Sequence, residues 1–142
     1  PSLGPGDGLA SGHADGHADH RAHSAAETRL LVPVAADDDD PNAAIFADAV
    51  ARADAFGGEV VPFPSPGRIE WDGDIIPASY MNFYIGNAVV VMPTYEGGRN
   101  ADAAVDALRQ LFPGRDVVGL PADAILSGGG SFHCISQQLP EA

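Results

Sequence analysis

At 142 residues the chain fits one domain with a sizeable core, and its 45% hydrophobic and 19% charged residues are ordinary for a soluble globular protein. A formal net charge of −13 argues against nucleic acid as a partner. No apolar run approaches the roughly 20 residues of a membrane-spanning helix, no secretory signal is visible, and a single cysteine excludes an internal disulfide.

Neither nucleic acid nor a membrane is therefore an expected partner, and the expected location is cytoplasmic. The stretch from Pro1 to about Ala26 is rich in Gly, Ala, His and Asp and nearly devoid of large apolar side chains. It reads as a leader of loop or disordered character, residues 1–26, ahead of a folded part at 27–142. A start at Pro1 rather than methionine suggests that the natural N-terminus lies further upstream.

From Thr28, "TRLLVPVA" reads as a buried strand, followed by an acidic turn from Asp37 to Asp40. Asp40 is placed to cap a helix with Pro41 at its first position. Phe46, Ala49, Val50, Ala53 and Phe56 then recur at helical spacing, Gly57 and Gly58 stop the helix, and "EVVPFP" is the next strand.

Between Gly67 and Asn87 lie the alternation of Ile69 and Trp71 with a turn at Gly73, and a hairpin turning at Gly86-Asn87. Trp71, Tyr80, Phe83 and Tyr84 read as packing residues. The earlier pattern then repeats: "AVVVMPTY" is a strand, "EGGRN" a turn, and Ala101, Ala104, Val105, Leu108, Leu111 and Phe112 form a helix face. Pro113-Gly114 stops that helix before the strand "RDVVGLP". Val32-Pro33 and Met92-Pro93 hold matching places in a strand–loop–helix–strand unit used twice. The fold class expected is α/β, with strands contributed to separate small sheets; the hairpin argues against a single doubly wound parallel sheet.

The chain closes on "AILSGGGSFHCISQQ", read as a glycine loop leading to a short strand that carries Cys134. Gly128, Gly129 and Gly130 strip the loop of side chains, so that backbone N–H groups can meet a ligand and a thiol at its end can line a pocket. The same cysteine can equally be a core residue. A second cluster, "GHADGHADHRAH", holds His13, His17, His20 and His23 with Asp15 and Asp19. A His-x-Asp pair supplies a general base beside a carboxylate that can face a cation; alternatively the histidines bind a metal, or have no ordered role. Asp37–Asp40 lacks the glycine and distal glutamate of a calcium loop and reads as solvated.

Taken together, "DGHADH", "PASYMNFYIGNAVVVMPTY" and "GGGSFHCISQQ" resemble, in this order, segments of the agmatine deiminases. The resemblance covers the chain from Asp15 to Gln138 and implies the pentein fold, an α/β propeller of which this chain holds about two repeats. It implies hydrolysis of agmatine to N-carbamoylputrescine and ammonia, a step of putrescine synthesis, with no cofactor and no metal. Carried over residue by residue, Cys134 attacks the guanidinium carbon, His17 is the acid and base, and Asp19 holds the guanidinium. Gly128 and Gly129 line the substrate. The His13/Asp15 copy also fits the motif, but His17/Asp19 keeps the following strand in register. Related alternatives are an arginine or peptidyl-arginine deiminase, and an inactive fragment with a metal-binding leader. Ser131 stands where the family has asparagine. A fragment of a propeller leaves strand edges uncovered, so self-association as a homo-oligomer is expected.

Overall fold

A computed structural model describes residues 23–26, 29–57 and 59–139. The repeat foreseen in the sequence is visible in the backbone. In the first unit, β1 (His23–Ala26) lies antiparallel to β2 (Arg29–Val34), and β2 runs through helix α1 (Ala43–Phe56) into the parallel strand β3 (Glu59–Pro64). In the second, β6 (Tyr84–Ile85) lies antiparallel to β7 (Val89–Thr94), which runs through α2 (Ala101–Leu111) into the parallel strand β8 (Asp116–Pro121). Each unit is a three-stranded sheet of the same order, β1-β2-β3 and β6-β7-β8. Between them, β4 (Ile69–Trp71) and β5 (Asp74–Ile76) form a separate two-stranded hairpin. A last helical turn, α3 (Asp123–Leu126), precedes the cysteine segment. The chain is thus α/β, with small sheets rather than one large one.

Strand prolines follow a rule. Val34 and Thr94 offer their carbonyls to Ser65 and Ala122 across the parallel pairs. Since backbone groups alternate sides along a strand, Pro33 and Pro93 point the opposite way, toward the antiparallel partner. Among the described residues that partner reaches only the rungs His23↔Leu31 and Tyr84↔Val91, short of both prolines. By the same alternation Pro62, Pro64 and Pro121 face the sides of β3 and β8 turned away from β2 and β7. Among the described residues, each proline therefore sits where its missing N–H has no strand to serve.

One core joins the units. Leu31 and Phe63 from the first, Tyr80, Met81 and Phe83 from the connection, and Val90, Met92, Ala104 and Leu108 from the second belong to one buried cluster. Phe83 sits at its centre, 6.2 Å from Phe63 and edge-on to Phe112 at 6.1 Å. Fully burying an aliphatic or aromatic side chain of this size contributes about 1.5–3 kcal/mol. Polar ties lie beside the apolar ones. The Tyr80 hydroxyl donates to the Arg99 carbonyl at 2.6 Å, the Arg99 amide donates to the Pro66 carbonyl at 2.9 Å, and the Arg99 guanidinium pairs with Asp37.

Several expectations need correction. Helix α1 begins at Ala43, not Pro41, with Asn42 as its N-cap and no side-chain cap. Asp40 instead folds the preceding turn: it is buried, and its carboxylate accepts the Ala36 amide at 3.1 Å and the Asn42 amide at 2.9 Å. A carboxylate two residues before a backbone amide competes for it locally, which holds the chain out of the helix. Trp71 is not a packing residue but is 51% exposed on the β4–β5 hairpin, whereas Tyr80 and Phe83 are buried. The hairpin turn before β7 is centred one residue later, on Asn87-Ala88, because the Gly86 amide still bonds to the Val89 carbonyl at 2.8 Å. The first sheet also reaches back to His23, into the segment read as a leader.

The turn at Gly73 was foreseen, and its chemistry is clear. Asp72 and Gly73 both have positive φ, 52° and 86°, between the paired Trp71 and Asp74. Two consecutive left-handed residues match the twist of a two-residue hairpin, and aspartate followed by glycine is the pair that tolerates them best. Among the described residues no helix is long and apolar enough to cross a membrane.

Candidate functional site: the Cys134 loop

Cys134 does not sit on a strand. The segment from Phe132 to Ile135 is a turn, closed by the Ile135 amide on the Ser131 carbonyl at 3.2 Å and the Ser136 amide on the His133 carbonyl at 3.1 Å. These local bonds use the backbone groups that a strand would offer to a neighbour, so the short strand expected here does not form. The turn hangs from α3, which is anchored by the Ala122 amide on the Thr94 carbonyl and by buried Leu126. Asp123 ties α3 to the loop after β7 by accepting the Glu96 amide at 2.8 Å.

The glycine run divides by residue. The Gly128 and Gly129 amides donate to the Ile125 and Leu126 carbonyls at 3.0 and 2.8 Å, so both are occupied in closing the helical turn. Gly130 has a different task. A Cβ there would lie 3.0 Å from Cys134 Cβ and 3.5 Å from its Sγ, so any larger residue would push on the thiol. The loop thus brings backbone and thiol together by having no side chain at that one position.

The thiol itself is exposed, as expected of a nucleophile and not of a core cysteine. Its side-chain neighbour is Asn82, whose Nδ2 lies 3.3 Å and Oδ1 3.5 Å from Sγ. Asn82 is buried, and its carbonyl accepts the His133 amide at 3.2 Å. The sequence reading did not single it out, although a polar residue between buried Met81 and Phe83 is itself a signal, since a buried amide must find a partner.

Beneath the loop lies Tyr95, buried and donating its hydroxyl to the Ser79 carbonyl at 3.1 Å. Burial pushes its phenol up, opposed by Ser131 and the Ser79 carbonyl and aided by the charges of Asp123 and Cys134. Ser131 is fully buried, and its Oγ makes no hydrogen bond. It acts on the Tyr95 phenol from outside hydrogen-bond geometry, so the pair is a close approach rather than a bond.

His13, Asp15, His17, Asp19 and His20, the two candidate His-x-Asp pairs and the histidine beside them, lie outside the described residues. Among the described residues no group of His, Cys, Asp or Glu is placed to hold a metal ion.

A Listeria monocytogenes protein assigned as agmatine deiminase 1 is 49% identical over 69 residues, which is 49% of this chain and 19% of that protein. A Lactococcus lactis protein, also assigned as an agmatine deiminase, is 46% identical over 71 residues, 50% of this chain and 19% of its own. Among solved structures, the agmatine deiminase of Enterococcus faecalis superposes with a TM-score of 0.79 at 29% identity, over 89% of this chain and 40% of that one. The chain therefore spans well under half the length of the relatives it matches, and it shares the pentein fold of these deiminases. The family described as Porphyromonas-type peptidyl-arginine deiminase matches residues 3–140, nearly the whole chain, and the protein belongs to that family.

Proposed function

We propose that the chain is the thiol-bearing part of an agmatine deiminase, with Cys134 as its nucleophile. The observation that carries this reading is an exposed thiol held against a bare glycine by a buried amide, in a chain of this family. Attack of the thiolate on the guanidinium carbon forms a tetrahedral adduct. Collapse expels ammonia, which takes a proton from the acid, and leaves an S-alkylthiouronium. Water then adds to the same carbon, the thiolate departs, and the products are N-carbamoylputrescine and ammonia. This is the chemistry that would place the protein in putrescine synthesis.

In this reading His17 protonates the leaving ammonia and then takes the proton of the attacking water. Asp19 holds the guanidinium through charge-assisted hydrogen bonds, suited to a planar fork. With their amides already bonded, Gly128 and Gly129 line the approach by lacking side chains. The two units act as consecutive blades of a propeller that a longer protein, or a second copy of this chain, completes.

Substrate choice is tested by supplying agmatine and free arginine at equal concentration and following ureido product. Faster turnover of agmatine is expected. Preference for arginine, or for arginine within a peptide, would move the assignment to that neighbouring deiminase activity.

A further inference from the structure

We propose that Asn82 is the positioning residue of the Cys134 thiol, its side-chain amide donating to the sulfur while its main-chain carbonyl fixes the neighbouring His133. This rests on the reading of Cys134 as the nucleophile and extends it to a residue on the other side of the core. The two residues are 52 positions apart, so the contact is made by the fold and not by the loop.

Asn82 is well placed to direct a sulfur atom. Tyr80, Met81 and Phe83 around it are at most 2% exposed, and its own amide bonds to the Ser79 carbonyl at 3.3 Å. The side chain is therefore fixed by a backbone locked into the core, while the thiol it touches faces solvent. Burying an amide without partners is costly, and sulfur is the side-chain partner found here.

The amide also has a preference between protonation states. A thiol can donate to Oδ1, but a thiolate can only accept, and Nδ2 at 3.3 Å is the nearer atom. A bond to the charged form is the stronger of the two. Asn82 thus offers a donor to the form of sulfur that attacks carbon, and the bond to His133 keeps the turn from carrying that sulfur away.

The test is the rate of Cys134 alkylation by iodoacetamide in the whole chain, as a function of pH, with Cys134→Ser as the blank. Asn82→Ala removes the donor, and at pH 7 the rate is expected to fall about tenfold, as for the loss of one hydrogen bond to a charged group. Asn82→Asp keeps the shape, opposes the thiolate with a carboxylate, and should be slower still. Both deficits should close toward the wild-type rate as the pH is raised to about 10, where ordinary thiols are ionised.

An Asn82→Ala rate equal to wild type at pH 7 would overturn the proposal. So would Asn82→Asp reacting faster than Asn82→Ala, or deficits that persist at alkaline pH and so report a misplaced loop. Alkylation reads the thiol whether or not agmatine is turned over. A chain that shows this order of rates but releases no ammonia would refute the hydrolase reading alone.

Discussion

Phe63 and Phe83 meet with ring centroids 6.2 Å apart, one on the last strand of the first unit and the other just before the hairpin of the second. Through Phe83 the contact continues edge-on to Phe112 at the end of α2. The two repeats are consequently one folded body about a shared aromatic pivot. Phe83 also directly follows Asn82, so the residue that joins the units also fixes the backbone of the residue that holds the thiol.

Truncating the pivot should be severe. Phe83→Ala removes a fully buried ring with aromatic neighbours on both sides and is expected to cost about 3–5 kcal/mol. Urea unfolding checks this. A loss below about 1 kcal/mol would show that the two units do not depend on each other.

Tyr80 predicts an alkaline limit to stability. Burial raises its phenol from 10.0 to about 12, with Tyr95 and Asp102 adding to the shift. The folded-state value lies above the unfolded one, so the stabilisation is fully present below pH 10 and is lost as the pH rises toward 12. Tyr80→Phe should flatten the decline in this window. A residual slope should remain, because the Tyr95 phenol is also raised. At neutral pH the same change leaves the Arg99 carbonyl without its donor, a cost of about 1 kcal/mol. Stability measured across this range, with tyrosinate absorbance, tests both parts.

At the β4–β5 hairpin, Gly73→Val places a branched side chain at a φ of 86°. The expected cost is about 1–3 kcal/mol. Trp71 is the only tryptophan and borders the turn, so its fluorescence reads local loosening directly. Unchanged emission and unchanged stability would contradict the left-handed turn.

Gly130→Ala should act on chemistry more than on folding. The added methyl group would meet Cys134 Cβ at 3.0 Å, and the exposed loop can yield by carrying the thiol outward. A displacement approaching 1 Å is expected to lower hydrolysis by about 100-fold with little change in stability. Equal activity would mean that the thiol does not depend on its close approach to Gly130.

The repeat was legible because its signals are periodic. Val32-Pro33 and Met92-Pro93, the helix faces of Phe46 to Ala53 and Ala104 to Phe112, and the glycine at Gly57 all express local rules that the backbone obeys. The thiol's setting was only half legible. "GGGSFHC" marked Cys134, but the turn around it depends on Ser131 and His133 carbonyls that no apolar pattern reveals. Asn82 was missed because its partner lies across the fold. Trp71 was misjudged because an aromatic on a short hairpin has the composition of a core residue, while among the described residues no second layer covers it. Asp40 misled in the opposite sense, since a good helix cap also makes a good turn and the turn bonds prevailed.

The central claim is that Cys134 is a guanidine-hydrolysing nucleophile, and the most direct measurement is ammonia release from agmatine by this chain beside Cys134→Ser. The account predicts release that the substitution abolishes. Equal release from both proteins, or none from either, would contradict it.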